Sequence, residues 1–171
     1  RGDPERTMPR GSVSYERGSF ATDRWTASLA GGAGSRVDYA LAAEQLHTSG
    51  EYANDWFRNT TGTANAGVQL TDATSVRGIV RVYDAYAGAP NQVAYGIHDL
   101  DAREATRDHV AGFHLDDVRG PRFVQRVSVS YHRSWDLFTD DLNDGPLNVA
   151  ALVRDVNGSV YLERLGGGVL G

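Results

Sequence analysis

The segment Thr60–Leu70 reads T-T-G-T-A-N-A-G-V-Q-L. From Ala64 to Leu70 every second residue is apolar, and asparagine, glycine and glutamine stand between them. Successive side chains of a β-strand point to opposite faces of its sheet, so this period of two predicts a strand with one apolar and one polar face. The same pattern recurs along most of the chain, and it decides the fold class.

Six further segments repeat this alternation and are predicted to be strands. In Gly11–Gly18, for example, Val13 and Tyr15 alternate with serine and glutamate. Together, the seven segments predict an all-β fold. The remaining five segments are Arg24–Leu29, Val37–Ala43, Val76–Val82, Ala111–Leu115 and Val127–Tyr131.

After a first link of modest length, Ser19–Asp23, the connections between these strands alternate between short and long. Short links are predicted at Gly31–Arg36, Thr71–Ser75 and Asp117–Arg122. Long links are predicted at about His47–Asn59 and Ala87–Thr106, with a last long segment from Ser134. Every second connection of an antiparallel meander lies at the same end of the sheet. We therefore expect an antiparallel meander that forms part of a transmembrane β-barrel, with short turns at one end and long loops at the other.

A soluble β-sandwich shows the same alternation, because one face of each sheet packs on a core and the other is solvated. In a membrane barrel the apolar face instead contacts lipid, and the polar face lines the lumen. The residues expected toward lipid are Val13, Tyr15, Trp25, Leu29, Tyr39, Leu41, Val68, Val80, Val82, Phe113, Val129 and Tyr131. Those expected toward the lumen are Arg24, Gln69, Arg77, Arg81, His114, Arg126 and His132.

The composition narrows the classes of function. The chain has 171 residues, no cysteine and a formal net charge of −5, and all 17 of its basic residues are arginine. The lack of cysteine excludes a disulfide scaffold and a thiol nucleophile, and the negative net charge argues against nucleic acid as a partner. The mean hydropathy of −0.42 does not argue against membrane strands, because only alternate residues of such strands are apolar.

The histidines and acidic residues form no motif for metal binding or catalysis. His109 and His114 are five residues apart in one predicted strand, so they point to opposite faces. The run Asp140–Gly145 lacks the ligand spacing of a calcium loop, and Asp99 and Asp101 lie in a predicted loop. We therefore expect no metal site and no cofactor. Because no set of nucleophile, base and oxyanion donor emerges, we also expect that the chain is not an enzyme.

Large aromatic residues are concentrated in the predicted long loops. Aromatic side chains in polar loops can bind a ligand through stacking and hydrogen bonds. They can equally cap a small core within the loop or belong to the aromatic girdle at a membrane interface. The candidate ligand-binding residues are Tyr52, Asp55, Trp56, Phe57, Arg58, Tyr95, His98 and Trp135.

Three longer stretches resemble the TonB-dependent outer-membrane transporters, in particular the branch of cobalamin and siderophore receptors. The first, Gly11–Gly32, looks like the opening hairpin of the family's barrel. The second is Asp38–Leu70, and the third is Thr74–Gly96 followed by Arg107–Asp116. The resemblance covers about residues 10–140 and is to the N-terminal part of the barrel, just after the plug domain.

This resemblance implies energy-coupled uptake of a scarce ligand, such as a siderophore or cobalamin, across the bacterial outer membrane. The implied partners are the lipid bilayer and, through a plug domain, the TonB system. The family's plug domain and TonB-binding box have no counterpart in these residues. The family's barrel has about 22 strands, which is more than this chain supplies. Two alternatives stay open: a soluble β-sandwich for binding or adhesion, and a small complete outer-membrane barrel.

We divide the chain into four parts. Residues 1–9 form a lead-in segment, and 10–140 form the barrel strands with their loops. Residues 141–165 are expected to form a loop and a β-hairpin, because Asn157-Gly158 is favoured in two-residue turns in which both residues need positive φ. Residues 166–171 form a glycine-rich tail or a truncation.

Overall fold

The computed structural model describes residues 8–90, 93–96, 99–120, 123–140, 152–157 and 160–163. Strands make up most of them, together with a short 3-10 helix at Val93–Tyr95. No helix among these residues is long and apolar enough to cross a membrane. The strands are β1 Arg10–Arg17, β2 Asp23–Ala33, β3 Val37–Thr48, β4 Phe57–Gln69, β5 Thr74–Gly88, β6 Arg103–Val118, β7 Val124–Thr139, β8 Leu152–Asn157 and β9 Val160–Glu163.

All of these strands belong to one antiparallel sheet. Strands β1 to β7 form a meander in which each strand pairs with the next along the chain, and β8 and β9 both pair with β7. The sheet is open, since among the described residues no pairing joins β1 to β8 or β9. The predicted all-β fold, its seven strands and its meander order are confirmed.

The C-terminal strands differ from the predicted hairpin. β8 pairs with the part of β7 from Arg133 to Phe138, and β9 pairs with the part from Arg126 to Val129. The two strands thus follow one another along the same edge of β7. The edge of a long strand offers unpaired N–H and C=O groups over its whole length, whereas a hairpin would pair only a few residues. Gly158, in the predicted turn, lies outside the described residues.

The pairing register places the predicted apolar residues on one face of the sheet. Directly opposed residues of an antiparallel pair point to the same side, and one such row contains Leu29, Leu41 and Val80. All twelve residues expected toward lipid lie on this surface, which we call the apolar face. All seven expected toward the lumen lie on the opposite one, the polar face.

The apolar face is exposed rather than packed into a core. Val13 is 75% and Trp25 51% exposed, and in the described part of the chain only Ala85 and Ala102 are buried hydrophobic residues. A sandwich needs a second sheet to cover such a face, and the described strands form only one. The apolar face is therefore not covered by any of the described residues.

The polar face is a network of complementary charges and hydroxyl groups. Arg24 donates to Glu44 across the β2–β3 pair at 2.8 Å, and Ser12 and Ser14 form hydrogen bonds with Ser28 and Thr26. Between β6 and β7, Asp116 accepts a hydrogen bond from Arg126, directly opposite it. Asp108 Oδ2 lies 2.8 Å from Nε2 of His132, which is diagonally across the strand pair. Polar groups on this face are therefore satisfied mainly by neighbouring strands.

The apolar residues form a band that crosses the strands obliquely. On β1 and β2 the band reaches the row of Tyr15 and Trp25. On β6 and β7 the same row consists of Arg107 and Trp135. There the apolar band ends at Tyr131, two apolar-face rows closer to the short-turn end of the sheet. The strands also lengthen, from 8 residues in β1 to 16 in β6 and β7. β6 and β7 therefore extend well beyond the band.

From the end of β2 onward the connections sort by length to the two ends of the sheet, as predicted. The earlier turn, residues 18–22, is short but lies at the long-loop end. Residues 34–36, 70–73 and 119–123 form the short-turn end, and residues 49–56 and 89–102 lie at the long-loop end. The long loops are shorter than predicted. The residues that flank them show no clear period of two, yet they continue the β-ladder, for example in the pair of Gly88 and Arg103.

Candidate functional site

The candidate site is the surface formed by the two loops 49–56 and 89–102 at the long-loop end. Asn54 joins them: its Nδ2 donates to the carbonyl oxygens of Ala102, at 2.8 Å, and of Asp99, at 3.3 Å. Its Oδ1 accepts a hydrogen bond from the indole N–H of Trp56 at 3.2 Å. One asparagine side chain therefore fixes both loops and a neighbouring aromatic ring.

The backbone conformation at Asn54 also favours this residue type. Its φ of 58° lies in the left-handed region, which asparagine tolerates better than most residues with a Cβ atom. Gly88 lies against it so closely that an added Cβ would stand 2.2 Å from the carbonyl oxygen of Asn54. The amide N–H of Gly88 donates to the carbonyl of Trp56 at 2.9 Å, so β5 and the first loop are in direct contact.

Loop 89–102 is closed by its own hydrogen bonds. The amide of Ala89 donates to the carbonyl of Ala102 at 3.0 Å, and the amide of Asp99 donates to the carbonyl of Pro90 at 3.2 Å. The Asp99 carboxylate accepts the amides of Asp101 and Ala102 at 3.1 and 2.8 Å. Asp99 and Ala102 are 4% and 2% exposed, so the loop is well packed at the end that joins β6.

The predicted ligand-binding residues separate into four groups in the structure. Tyr52 and Tyr95 form the first group, because they lie on the outer surface of the two loops, 49% and 81% exposed. Leu100, which is 61% exposed, lies in the same loop as Tyr95. Leu100 is not among the predicted residues, because a single leucine in a polar loop has neither the aromatic nor the charged character on which that prediction depends.

Asp55 and Trp56 form the second group and support the first loop. The Asp55 carboxylate accepts the amide N–H of Glu51 at 3.1 Å, and its own amide donates to the carbonyl of Tyr52 at 3.3 Å. Trp56 is half-buried and bonded to Asn54. Both residues hold the loop in shape, which is the loop-core alternative that the sequence left open.

Phe57 forms the third group, as the first residue of β4 rather than part of a loop. It lies on the polar face, where it lines a concave site of about 230 Å³ directly below the loops. Tyr83 and Glu104 line the same site. This site combines aromatic surface with a carboxylate.

Arg58 and Trp135 form the fourth group, since they lie on the apolar face in β4 and β7. The Arg58 guanidinium lies 4.6 Å from the centre of the Tyr86 ring, and the Arg107 guanidinium lies 5.1 Å from that of Trp135. They were expected in loops, but the ladder extends to them. The last predicted residue, His98, lies outside the described residues.

Three carboxylates come together at the end of the second loop. One oxygen each of Asp99, Asp101 and Asp140 lie within 4.8 Å of one another. Carboxylate oxygens are the ligands that hard divalent cations prefer. The Asp99 oxygen that accepts two backbone amides already has a structural role, and we assign the residue to closing the loop.

Comparison with known proteins adds nothing to this geometry. No family model, no curated protein and no solved structure matches this chain.

Proposed function

We propose that this chain is part of the barrel wall of a TonB-dependent outer-membrane transporter that takes up a scarce ligand such as a siderophore or cobalamin. The observation that carries the proposal is the exposed apolar band on one face of a single meander sheet. A membrane barrel needs an outward apolar band of this kind, alternating with polar residues toward its interior. A protein in water rarely exposes so extended an apolar surface.

The oblique course of the band supports the same proposal. Strands of a closed barrel tilt by about 35–45° from its axis, so a band that is level in the membrane must cross the strands at an angle. The apolar band shifts in this way between Trp25 on β2 and Tyr131 on β7. The parts of β6 and β7 beyond the band would then project outside the bilayer and carry the long loops.

The open sheet edges imply that the barrel includes further strands. Unpaired backbone groups cannot be left in hydrocarbon, where each costs several kcal/mol, so a spanning sheet has to close. The outer edge of β1 has no partner among the described residues. A barrel of the transporter class, with about 22 strands, would place this sheet as one arc of its wall.

The polar face would then line the lumen, and the long loops would meet the ligand. Tyr52 and Tyr95 present aromatic surface at the loop ends, and the site around Phe57 lies just below them on the polar face. A ligand would bind first at the loops and then pass into the lumen. Energy for that passage would come from the TonB system acting on a plug domain.

The membrane position is tested with neighbouring single-cysteine variants of the intact protein. Leu41 lies on the apolar face and Ala42 on the polar face of the same strand, and both are exposed. A fluorescent label at Leu41→Cys should be quenched by spin-labelled lipid, whereas a label at Ala42→Cys should be quenched by aqueous iodide. If neither label responds to the lipid quencher, the membrane proposal is wrong.

The transport activity needs a separate measurement. Cells that express the intact protein should take up radiolabelled cobalamin or one of a set of ferric siderophores, and the same cells without TonB should not. Tyr52→Ala, on the exposed surface of the first loop, should reduce this uptake, and it leaves the β4 strand from Phe57 intact. A protein that passes the lipid-quenching test but shows no TonB-dependent uptake would be a membrane barrel of another function.

A further inference from the structure

The concave site around Phe57 is shaped by the sizes of the side chains on three neighbouring strands. Ala85 and Ala87 of β5 form its floor, and their small side chains leave the space open. Phe57 of β4 stands on one side of them, and Glu104 and Thr106 of β6 stand on the other. These residues enclose about 230 Å³, and we call this space the polar-face groove.

Two aromatic rings line the polar-face groove. Phe57 lies in one register row with Ala87 and Glu104, and Tyr83 lines the groove two residues before Ala85 on β5. Both aromatic residues are half-buried, so part of each ring is accessible to a ligand. The face of an aromatic ring carries partial negative charge and attracts a cation within about 6 Å of the ring centre. The rings can therefore hold an apolar group or an organic cation, and the charge of the groove decides between the two.

The Glu104 carboxylate is the charged group of the groove. Glu104 is exposed, and within the described part of the chain its carboxylate has no hydrogen bond and no ion pair. Arg103, the preceding residue, lies on the apolar face and not in the groove. Aromatic residues arranged around a small space recognise quaternary ammonium groups, and a carboxylate adds a full opposite charge to that attraction.

Two other acidic residues on the polar face lie near the groove, and each has a basic residue of its own. His132 Nε2 lies 2.8 Å from Asp108 Oδ2, and Arg154 of β8 is opposite Asp136 in the pairing register. Neither acidic residue lines the groove. We therefore base the charge of the groove on Glu104 alone.

Two further arginines on the polar face share a strand or a register row with Ala85, and neither lines the groove. Arg81 lies four residues before Ala85 on β5, and Tyr83 stands between them. Arg24 is in the row of Ala85 but three strands away on β2, where it is bonded to Glu44 at 2.8 Å. A ligand in the groove would therefore meet a carboxylate and not a guanidinium.

The loops beside the groove carry charge of the same sign. Residues 49–56 lead into β4, and residues 89–102 lead into β6, at the end of the sheet where the groove lies. Neither loop contains an arginine or a lysine. A surface with one sign of charge raises the local concentration of ions of the opposite sign, so these loops attract cations. The four acidic residues of the two loops are Glu51, Asp55, Asp99 and Asp101.

We propose that the polar-face groove binds an organic cation, such as a quaternary ammonium group. Sites that enclose a drug-sized molecule have volumes of roughly 300–1,000 Å³. The groove, at about 230 Å³, is smaller and fits a cationic head group rather than a whole siderophore or cobalamin. Binding of the cation does not depend on a membrane, but the further statement that this cation is part of a transported ligand rests on the proposed function.

The test compares two probes of the same shape and different charge. They are choline, which carries a trimethylammonium group, and dimethylbutanol, its neutral analogue in which carbon replaces the nitrogen. Binding to the intact protein in neutral detergent is measured by saturation-transfer NMR, and choline should bind with about a tenfold lower Kd. Glu104→Gln should raise the choline Kd about tenfold. Phe57→Leu keeps an apolar side chain but removes the ring, and it should raise this Kd roughly threefold.

Matched controls make the same chemical changes at the short-turn end of the sheet. Asp72→Asn removes one exposed carboxylate and Phe123→Leu removes one exposed ring, and both should leave the choline Kd unchanged. An equal rise in these controls, no rise in Glu104→Gln, or the same Kd for both probes would overturn the proposal. Near-ultraviolet circular dichroism checks that each variant is folded, and Glu104→Gln should fold normally because the carboxylate has no partner to lose.

The two proposals fail in different ways. If the label at Leu41→Cys is not quenched by lipid but choline binding depends on Glu104, the transporter proposal is wrong and the cation site stands. If the label is quenched and uptake depends on TonB, but Glu104→Gln binds choline as the unmodified protein does, only the cation site is wrong.

Discussion

The Arg77 guanidinium on β5 donates from Nη2 to both carboxylate oxygens of Asp38 on β3, at 2.9 and 2.7 Å. The two residues are not on adjacent strands. Both are paired in register with Gly67 of β4, the strand between them. The arginine side chain passes over this glycine to reach Asp38. The Asp38 side chain is only 7% exposed, so the carboxylate depends on Arg77 for its neutralisation.

Loss of this arginine should destabilise the sheet strongly. Arg77→Met leaves the Asp38 carboxylate buried without its cation, which typically costs about 3–5 kcal/mol of unfolding free energy. The measurement is urea unfolding in phospholipid vesicles. The double variant Arg77→Met with Asp38→Asn removes the stranded charge and should recover a large part of the loss.

A more exposed pair on the same face provides the control for this prediction. The Nε atom of Arg126 lies 2.6 Å from Oδ1 of Asp116, and the two side chains are 51% and 38% exposed. Solvent screens such a pair, so Arg126→Met should cost less than about 1 kcal/mol. Equal losses at the two positions would mean that burial of Asp38 is not the cause.

Gly67 should not accept a side chain while Arg77 is present. A Cβ atom there would lie 2.3 Å from Arg77 Nη2 and 2.9 Å from an Asp38 carboxylate oxygen. Gly67→Ala should therefore lower the unfolding free energy by about 1–3 kcal/mol, as overpacking does. In an Arg77→Met background the same substitution should cost less, because the guanidinium that makes the closest contact is gone and only the contact with Asp38 remains.

Gly112 is the matched control for Gly67. It lies on the same face, in β6, and an added Cβ atom would have no neighbour within 4 Å. Gly112→Ala should therefore be neutral or slightly stabilising, since glycine weakens a strand interior. A loss at Gly112 as large as that at Gly67 would point to a general sensitivity of the strands rather than to the ion pair.

Sequence alone could predict the fold because the alternation is a local signal. Over Arg24–Leu29 of β2 and Ala64–Gln69 of β4 the period of two is uninterrupted, and it assigns each side chain to a face, since a slip by one residue would bring polar side chains onto the apolar face. The long-loop ends of the longest strands, residues 103–106 of β6 and 134–139 of β7, could not be predicted. Polar side chains there are not confined to one face, so the ladder depends on pairing with a neighbouring strand.

The candidate site was predicted only in part for the same reason. Aromatic residues in a loop can be recognised from the sequence, but whether each one is exposed or supports the loop depends on contacts between distant segments. Asn54 contacts Ala102, 48 positions further along the chain, and no local pattern indicates that contact. Trp56 is half-buried because it contacts Asn54, whereas Tyr95 is exposed. Both outcomes depend on how the loops pack, which their own sequences do not show.

Asn54 should control the order of the second loop. Asn54→Gly keeps the left-handed backbone accessible but removes the bonds to Ala102 and Asp99, so amide hydrogen exchange in residues 89–102 should become faster. Asn54→Ala should have a larger effect, because it adds strain of about 1–2 kcal/mol at positive φ. Tyr52→Ala, on the exposed surface of the first loop, should leave the exchange of the second loop unchanged.

Ligand binding should depend on the first group of aromatic residues and not on the fourth. Tyr52 and Tyr95 are exposed at the loop ends, and loss of one stacking contact worth about 1.4 kcal/mol raises the Kd tenfold. We therefore expect about a tenfold higher Kd for Tyr52→Ala or Tyr95→Ala, measured with whichever labelled ligand the cells take up. Trp135→Ala should leave this Kd unchanged, because Trp135 lies on the apolar face, away from the loop surface. The prediction is wrong if Trp135→Ala raises the Kd and neither tyrosine variant does. The ligand would then contact Trp135 on the apolar face rather than the loops.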